Sequence, residues 1–164
     1  MAEIIRDLLA PHDPGSPAIL APDRATLTYD GLWALADGTV QALNRLGIGR
    51  NDRVAIVLPN GPEMAAAFIA IACGATTAPL NPAYREEEFD FYLSDLKAKA
   101  LVVPEGDEGP AVAVAKRHGA AVLRLHAPAE QPAGWFELKP EEGLAPRAAS
   151  ASGLAESDDV ALVL

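Results

Sequence analysis

The chain has 164 residues, half of them apolar and 5% aromatic, with a formal net charge of −10. That length and apolar content suit one folded domain and exclude a disordered chain, while the acidic balance lacks the clustered Lys and Arg that nucleic acids and anionic membranes attract. A single cysteine, Cys73, excludes an intramolecular disulfide framework and fits a reducing compartment.

In chain order, Met1 to Leu9 predicts a short amphipathic helix with Ile4, Ile5, Leu8 and Leu9 on one side, broken by Pro11, Pro14 and Pro17. No secretory-signal order is present there, so a cytoplasmic protein is expected. Ala18 to Leu20 and Thr26 to Thr28 flank the turn residues Pro22-Asp23-Arg24 and predict a hairpin. Thr28 is placed to cap the next helix, whose apolar period runs through Leu32, Leu35, Ala36, Val40, Leu43 and Leu46 to a left-handed stop at Gly47. Arg53 to Leu58 reads as a strand covered on both faces, because Val54 to Leu58 does not alternate.

Asn60-Gly61-Pro62-Glu63 has the chemistry of a helix start, with Asn60 as the cap. The helix from Glu63 to Cys73 is apolar nearly all round and is expected to be deeply buried. Its apolar run, Met64 to Cys73, is too short to span a bilayer. Thr76 to Leu80 is a strand. Glu86, Glu87 and Glu88 open a helix with Phe89, Tyr92, Leu93 and Leu96 as its stripe, although Arg85 leaves Glu88 without the usual capping-box partner. Ala100 to Val103 is a strand, Glu108 to His118 a helix stopped by Gly119, and Ala121 to Leu125 a strand. The alternation predicts an α/β fold: a largely parallel sheet flanked by helices, with an N-terminal β-hairpin.

From Ala127 to Asp158 the texture turns to Ala, Pro, Gly, Ser and Glu, with one short strand at Trp135 to Leu138. Val160 to Leu164 again has a buried-strand pattern. The chain stops on it without a polar tail, which we read as a piece of a longer protein.

Chemistry-bearing motifs are sparse. No glycine-rich loop ends in Lys-Ser or Lys-Thr. Gly47-Ile48-Gly49 lacks a third glycine and precedes a strand, so it reads as a helix stop and a turn. His12, His118 and His126 are scattered without metal-ligand spacing. Cys73, at the end of an apolar helix, reads as a small hydrophobe. Glu86 to Glu88 reads as a dipole-matched helix start, not as a metal site. No catalytic, cofactor-binding or metal-ligating residue is assigned.

Three runs, in order, resemble one family: Leu27-Thr28-Tyr29-Asp30-Gly31-Leu32-Trp33, then Arg53 to Glu63, then Ala78-Pro79-Leu80-Asn81-Pro82-Ala83-Tyr84 followed by Phe89 to Asp95. Together they resemble the N-terminal part of the adenylate-forming, AMP-binding acyl-CoA synthetases, with Ala75 to Asp95 most similar to the oxalate–CoA ligase branch. Ser157 to Leu164 resembles the strand that leads into that family's phosphate loop.

The resemblance implies an incomplete N-terminal domain of the synthetase fold. It divides into an α/β subdomain over 1–126, a crossing segment over 127–158 and the strand over 159–164. It implies a parent acid–CoA ligase that uses ATP, Mg and CoA on a small carboxylic acid through an acyl-adenylate. The sites lie largely outside this chain, so the piece alone is expected to be inactive and prone to self-association. Two alternatives stay open: a stand-alone non-catalytic α/β binding module, and an adenylation domain with another acceptor.

Overall fold

Strands that are apolar at every position need cover on both faces, and the arrangement supplies it. The computed structural model describes residues 4–10 and 12–164; the readings that fall on Met1, Ala2, Glu3 and Pro11 lie outside them. β1 (Pro17–Ile19) and β2 (Leu27–Thr28) form the expected antiparallel hairpin. A separate sheet contains β3 (Arg53–Ile56), β4 (Thr76–Pro79), β5 (Ala100–Pro104), β6 (Ala121–His126) and β7 (Glu137–Pro140), in the order β4-β3-β5-β6-β7. Its first four strands are parallel, and β7 pairs antiparallel with β6.

Successive side chains on a strand point to opposite faces, and two cores result. Val54, Ile56 and Leu58 join one core with Leu32, Leu43, Ala67 and Ile71, from α2 (Tyr29–Arg45) and α3 (Pro62–Ala72). Ala55 and Val57 join the other with Phe89, Leu93, Val112 and Ala115, from α4 (Glu86–Leu96) and α5 (Pro110–Arg117). Each buried branched side chain contributes roughly 1.5–3 kcal/mol of transfer free energy. The short α1 (Ile5–Leu9) is tied to α2 by the Arg6 guanidinium, which donates to both Asp37 carboxylate oxygens at 2.9 and 2.8 Å.

Local chemistry sets most helix ends. The Thr28 hydroxyl accepts from the Gly31 N–H at 3.2 Å, and Gly47 and Gly119 adopt φ of 79° and 72°. Several ends differ from expectation. Asn60 does not cap α3; Gly61, with extended backbone and no side-chain bond, precedes Pro62. Glu88 does find a partner: its carboxylate accepts from the Arg85 N–H at 2.9 Å, which closes half of a capping box. The α5 helix begins at Pro110, because Asp107 Oδ1 accepts from the Gly109 N–H at 2.8 Å and holds a turn there.

Two burial expectations are corrected. Helix α3 buries Ala66, Ala67, Ala70, Ile71 and Ala72, but Met64, Phe68 and Ile69 are half-buried and Ala65 is exposed. It covers the sheet with one side only. Val160 to Leu164 is not a buried strand. It meets β4 through a single parallel bridge, Thr77 to Leu162, and Val160, Leu162 and Leu164 are exposed. One side of the segment has a strand neighbour, while its outer edge and much of its faces meet solvent.

Candidate functional site

In open α/β sheets, ligands bind beyond the carboxyl ends of the strands, where the strand order switches direction. From β3 the chain moves outward to β4 and then crosses back to β5, so the switch lies between β3 and β5. The loop at the end of β3, Pro59 and Asn60, is exposed. At the end of β4, Asn81 Oδ1 accepts from the Ala83 N–H at 2.9 Å and the Tyr84 N–H donates to the Asn81 carbonyl at 3.1 Å. That turn fixes Tyr84, whose ring stacks on Tyr92 with centroids 5.1 Å apart.

The end of β5 is held by ion pairs. His126 Nδ1 contacts Glu105, and Lys139 Nζ lies 3.5 Å from the same carboxylate. The hydrogen bond from His126 holds the Glu105 carboxyl below the usual range. Arg124 bonds the Asp107 carbonyl, Glu108 and Glu141. These groups cross-brace β6, β7 and the β5 loop and leave little free chemistry there.

The remaining titratable groups are separate. His12 stacks on Tyr29 at 4.0 Å. His118 Nε2 lies 2.8 Å from Asp90, which also pairs with Arg117. Bonds from Arg117 and then His118 hold the Asp90 carboxyl low. Glu86 pairs with Arg117 as well. Burial pushes the Cys73 thiol up to about 11, the wrong direction for a nucleophile, which must react as thiolate. Among the described residues, no hydroxyl or thiol is hydrogen-bonded to a histidine ring.

A groove of about 950 Å³ runs between α2 and β7, lined by Leu35, Thr39, Ala42, Trp135, Phe136 and Leu138 among others. Its lining is mainly apolar, with Thr39, Arg45, Gln131 and Glu137 among its polar members.

One polar cluster stands out that the sequence alone did not single out. Asn51, Thr76 and Thr77 bind the segment around Asp159 to Val163. Its trace in the sequence is slight: two threonines opening an otherwise apolar strand, and an Asn-Asp turn.

Residues 9–164 match the family model described as AMP-binding enzyme. The chain is 42% identical over 101 residues to a probable CoA ligase of Humulus lupulus, covering 60% of this chain and 19% of that protein. It is 53% identical over 58 residues to the oxalate–CoA ligase of Saccharomyces cerevisiae, covering 35% and 11%. To the oxalate–CoA ligase of Arabidopsis thaliana it is 39% identical over 106 residues, covering 58% and 21%. The matched region is thus about a fifth or less of each relative's length. The ATP-bound MatB of Rhodopseudomonas palustris superposes with a TM-score of 0.75 at 24% identity, covering 100% of this chain and 32% of that one, a likeness of fold.

Proposed function

The chain belongs to the AMP-binding enzyme family, and on that premise we propose that it forms the N-terminal part of an ATP-dependent acid–CoA ligase acting on a small carboxylic acid, oxalate first. The extent of the family match, residues 9–164, together with CoA ligases as relatives, carries the reading. Oxalate comes first because two of those relatives bear its name.

In the proposed reaction a carboxylate oxygen attacks the α-phosphorus of ATP and pyrophosphate leaves. The CoA thiolate then attacks the acyl carbonyl, and the bond to AMP breaks. Stabilising charge on the transferring groups is the main physical task. In this reading residues 1–126 supply the supporting α/β layer, 127–158 cross it and add β7 to its edge, and 159–164 lead toward the phosphate loop. Among the described residues no three or more His, Cys, Asp and Glu side chains stand close enough together to hold a metal ion by themselves.

The 164-residue piece alone forms no adenylate in this reading. A cytoplasmic location is part of the proposal; no helix among the described residues is long and apolar enough to cross a membrane. Pyrophosphate release by the full-length protein, with ATP, CoA and a panel of acids, tests it. Release that depends on oxalate supports both class and substrate. Release with other acids alone removes oxalate, and no release with any acid removes the ligase reading.

A further inference from the structure

The segment that ends at Leu164 is attached to the sheet by an unusual balance of bonds. Two backbone hydrogen bonds join it to β4: the Thr77 N–H donates to the Ala161 carbonyl and the Val163 N–H to the Thr77 carbonyl, both at 2.9 Å. Four side-chain bonds add to them. Thr76 Oγ1 donates to the Val160 carbonyl at 2.6 Å, and Thr77 Oγ1 to the Ala161 carbonyl at 2.9 Å. The Asn51 carboxamide donates to Asp159 at 2.5 Å and accepts from the Val160 N–H at 2.9 Å. Arg50 adds ion pairs to Glu156 and Asp159, and Asp159 also accepts from the Glu156 N–H at 2.7 Å.

Consecutive strand residues face opposite sides of a sheet, so the two threonines grip the segment from both sides. Both are buried, at 1% and 0% exposure, although they are polar. Asn51 sits at φ 62°, a left-handed conformation that Asn tolerates better than most residues. There its carboxamide oxygen accepts from a backbone N–H of the segment, as a neighbouring strand's carbonyl would, while its N–H donates to the Asp159 carboxylate. Side chains therefore fix the register of a segment that its few backbone bonds leave weakly specified.

Register matters here because the segment runs parallel to β4 and ends at the ligand-binding edge of the sheet. A slip of one residue moves it by about 3.3 Å. A misplacement of about 1 Å near reacting groups can cost about a hundredfold in rate. We propose that Asn51, Thr76 and Thr77 are positioning residues for adenylate formation: they set the register of residues 159–163 and so the place where the ATP phosphates are met. This rests on the acid–CoA ligase reading above.

The test uses the full-length protein and separates the two half-reactions. Pyrophosphate release from ATP and acid reports the first; thioester formation from CoA and supplied acyl-adenylate reports the second. Thr76→Val with Thr77→Val removes both hydroxyls and keeps the β-branched shape. The first half-reaction should fall roughly tenfold to thirtyfold, the worth of two hydrogen bonds. The second should stay within about twofold of wild type, and Thr77→Ser, which keeps its hydroxyl, should restore the first.

A proportional fall in both half-reactions would mean a merely structural role and overturn the proposal, as would no fall in either. Amide exchange at Thr77 and Val163, read in the same variants and in Asn51→Ala, should speed up by about tenfold; unchanged exchange shows that no latch exists. If the wild type releases no pyrophosphate with any acid, the ligase reading fails and the positioning role falls with it. The exchange result then decides whether the latch itself stands.

Discussion

Two stretches of this chain are nearly the same peptide with opposite fates. Val54-Ala55-Ile56-Val57-Leu58 is 0 to 5% exposed, whereas in Val160-Ala161-Leu162-Val163-Leu164 the first and third residues are 51% and 38% exposed. They differ in neighbours. β3 lies between β4 and β5 with α2 and α3 on one face and α4 and α5 on the other. The second run has β4 on one side, a single bridge and the side-chain latch. An apolar run states what it needs, and the surrounding elements decide whether it is met.

The sharpest test substitutes equivalent residues. Ile56→Ala should cost about 2–5 kcal/mol, because it removes a fully buried side chain and leaves a cavity. Leu162→Ala should cost less than about 1 kcal/mol by the same area argument. Urea unfolding of both variants compares them directly, and equal losses would break the contrast.

Cys73 extends the contrast to pH. Its thiol is pushed up to about 11 from 9.0, first by burial. Its stabilising contribution is therefore complete below pH 9 and is lost as pH rises to about 11. The loss amounts to about 2–3 kcal/mol. Urea midpoints across that range should converge with those of Cys73→Ala; an identical slope in the two proteins would show that this burial is not felt.

Gly49→Ala probes the junction between interior and edge. An added Cβ would stand 2.1 Å from the Ala151 carbonyl oxygen, a backbone atom that also accepts from the Arg50 N–H. Relief requires moving one of the two segments, at a cost of about 1–3 kcal/mol. Faster amide exchange should be concentrated at Arg50 and the residues after Ala151; a uniform increase would argue against a local clash.

The smallest effect concerns association. Exposed Val160, Leu162 and Leu164 on a strand edge favour contact with a second copy. Sedimentation of the 164-residue chain should depend on concentration, and Leu162→Lys should weaken that dependence. A strictly monomeric chain at high concentration would show that the exposed run is tolerated as it stands.

Much of the fold was legible because its signals are local. The Thr28 cap, the left-handed Gly47 and Gly119, and the parallel strands flanked by helices follow from spacing and backbone chemistry within a few residues. The failures were also physical. Asn60 has cap chemistry, but Gly61 stands at the N-cap of α3. The strand expected at Trp135 to Leu138 lies at Glu137–Pro140, where pairing with β6 selects its register.

The sequence by itself determined most of the element types, the stops at Gly47 and Gly119 and the apolar demand of both Val-Ala runs, because each depends on neighbours along the chain. The tertiary structure decided which run was covered and how the other was held. Asn51 reaches Asp159 across 108 residues, and Thr76 and Thr77 reach Val160 and Ala161 across 84. No short-range periodicity carries that information, since these bonds exist only after the sheet has brought β4 and the last segment side by side.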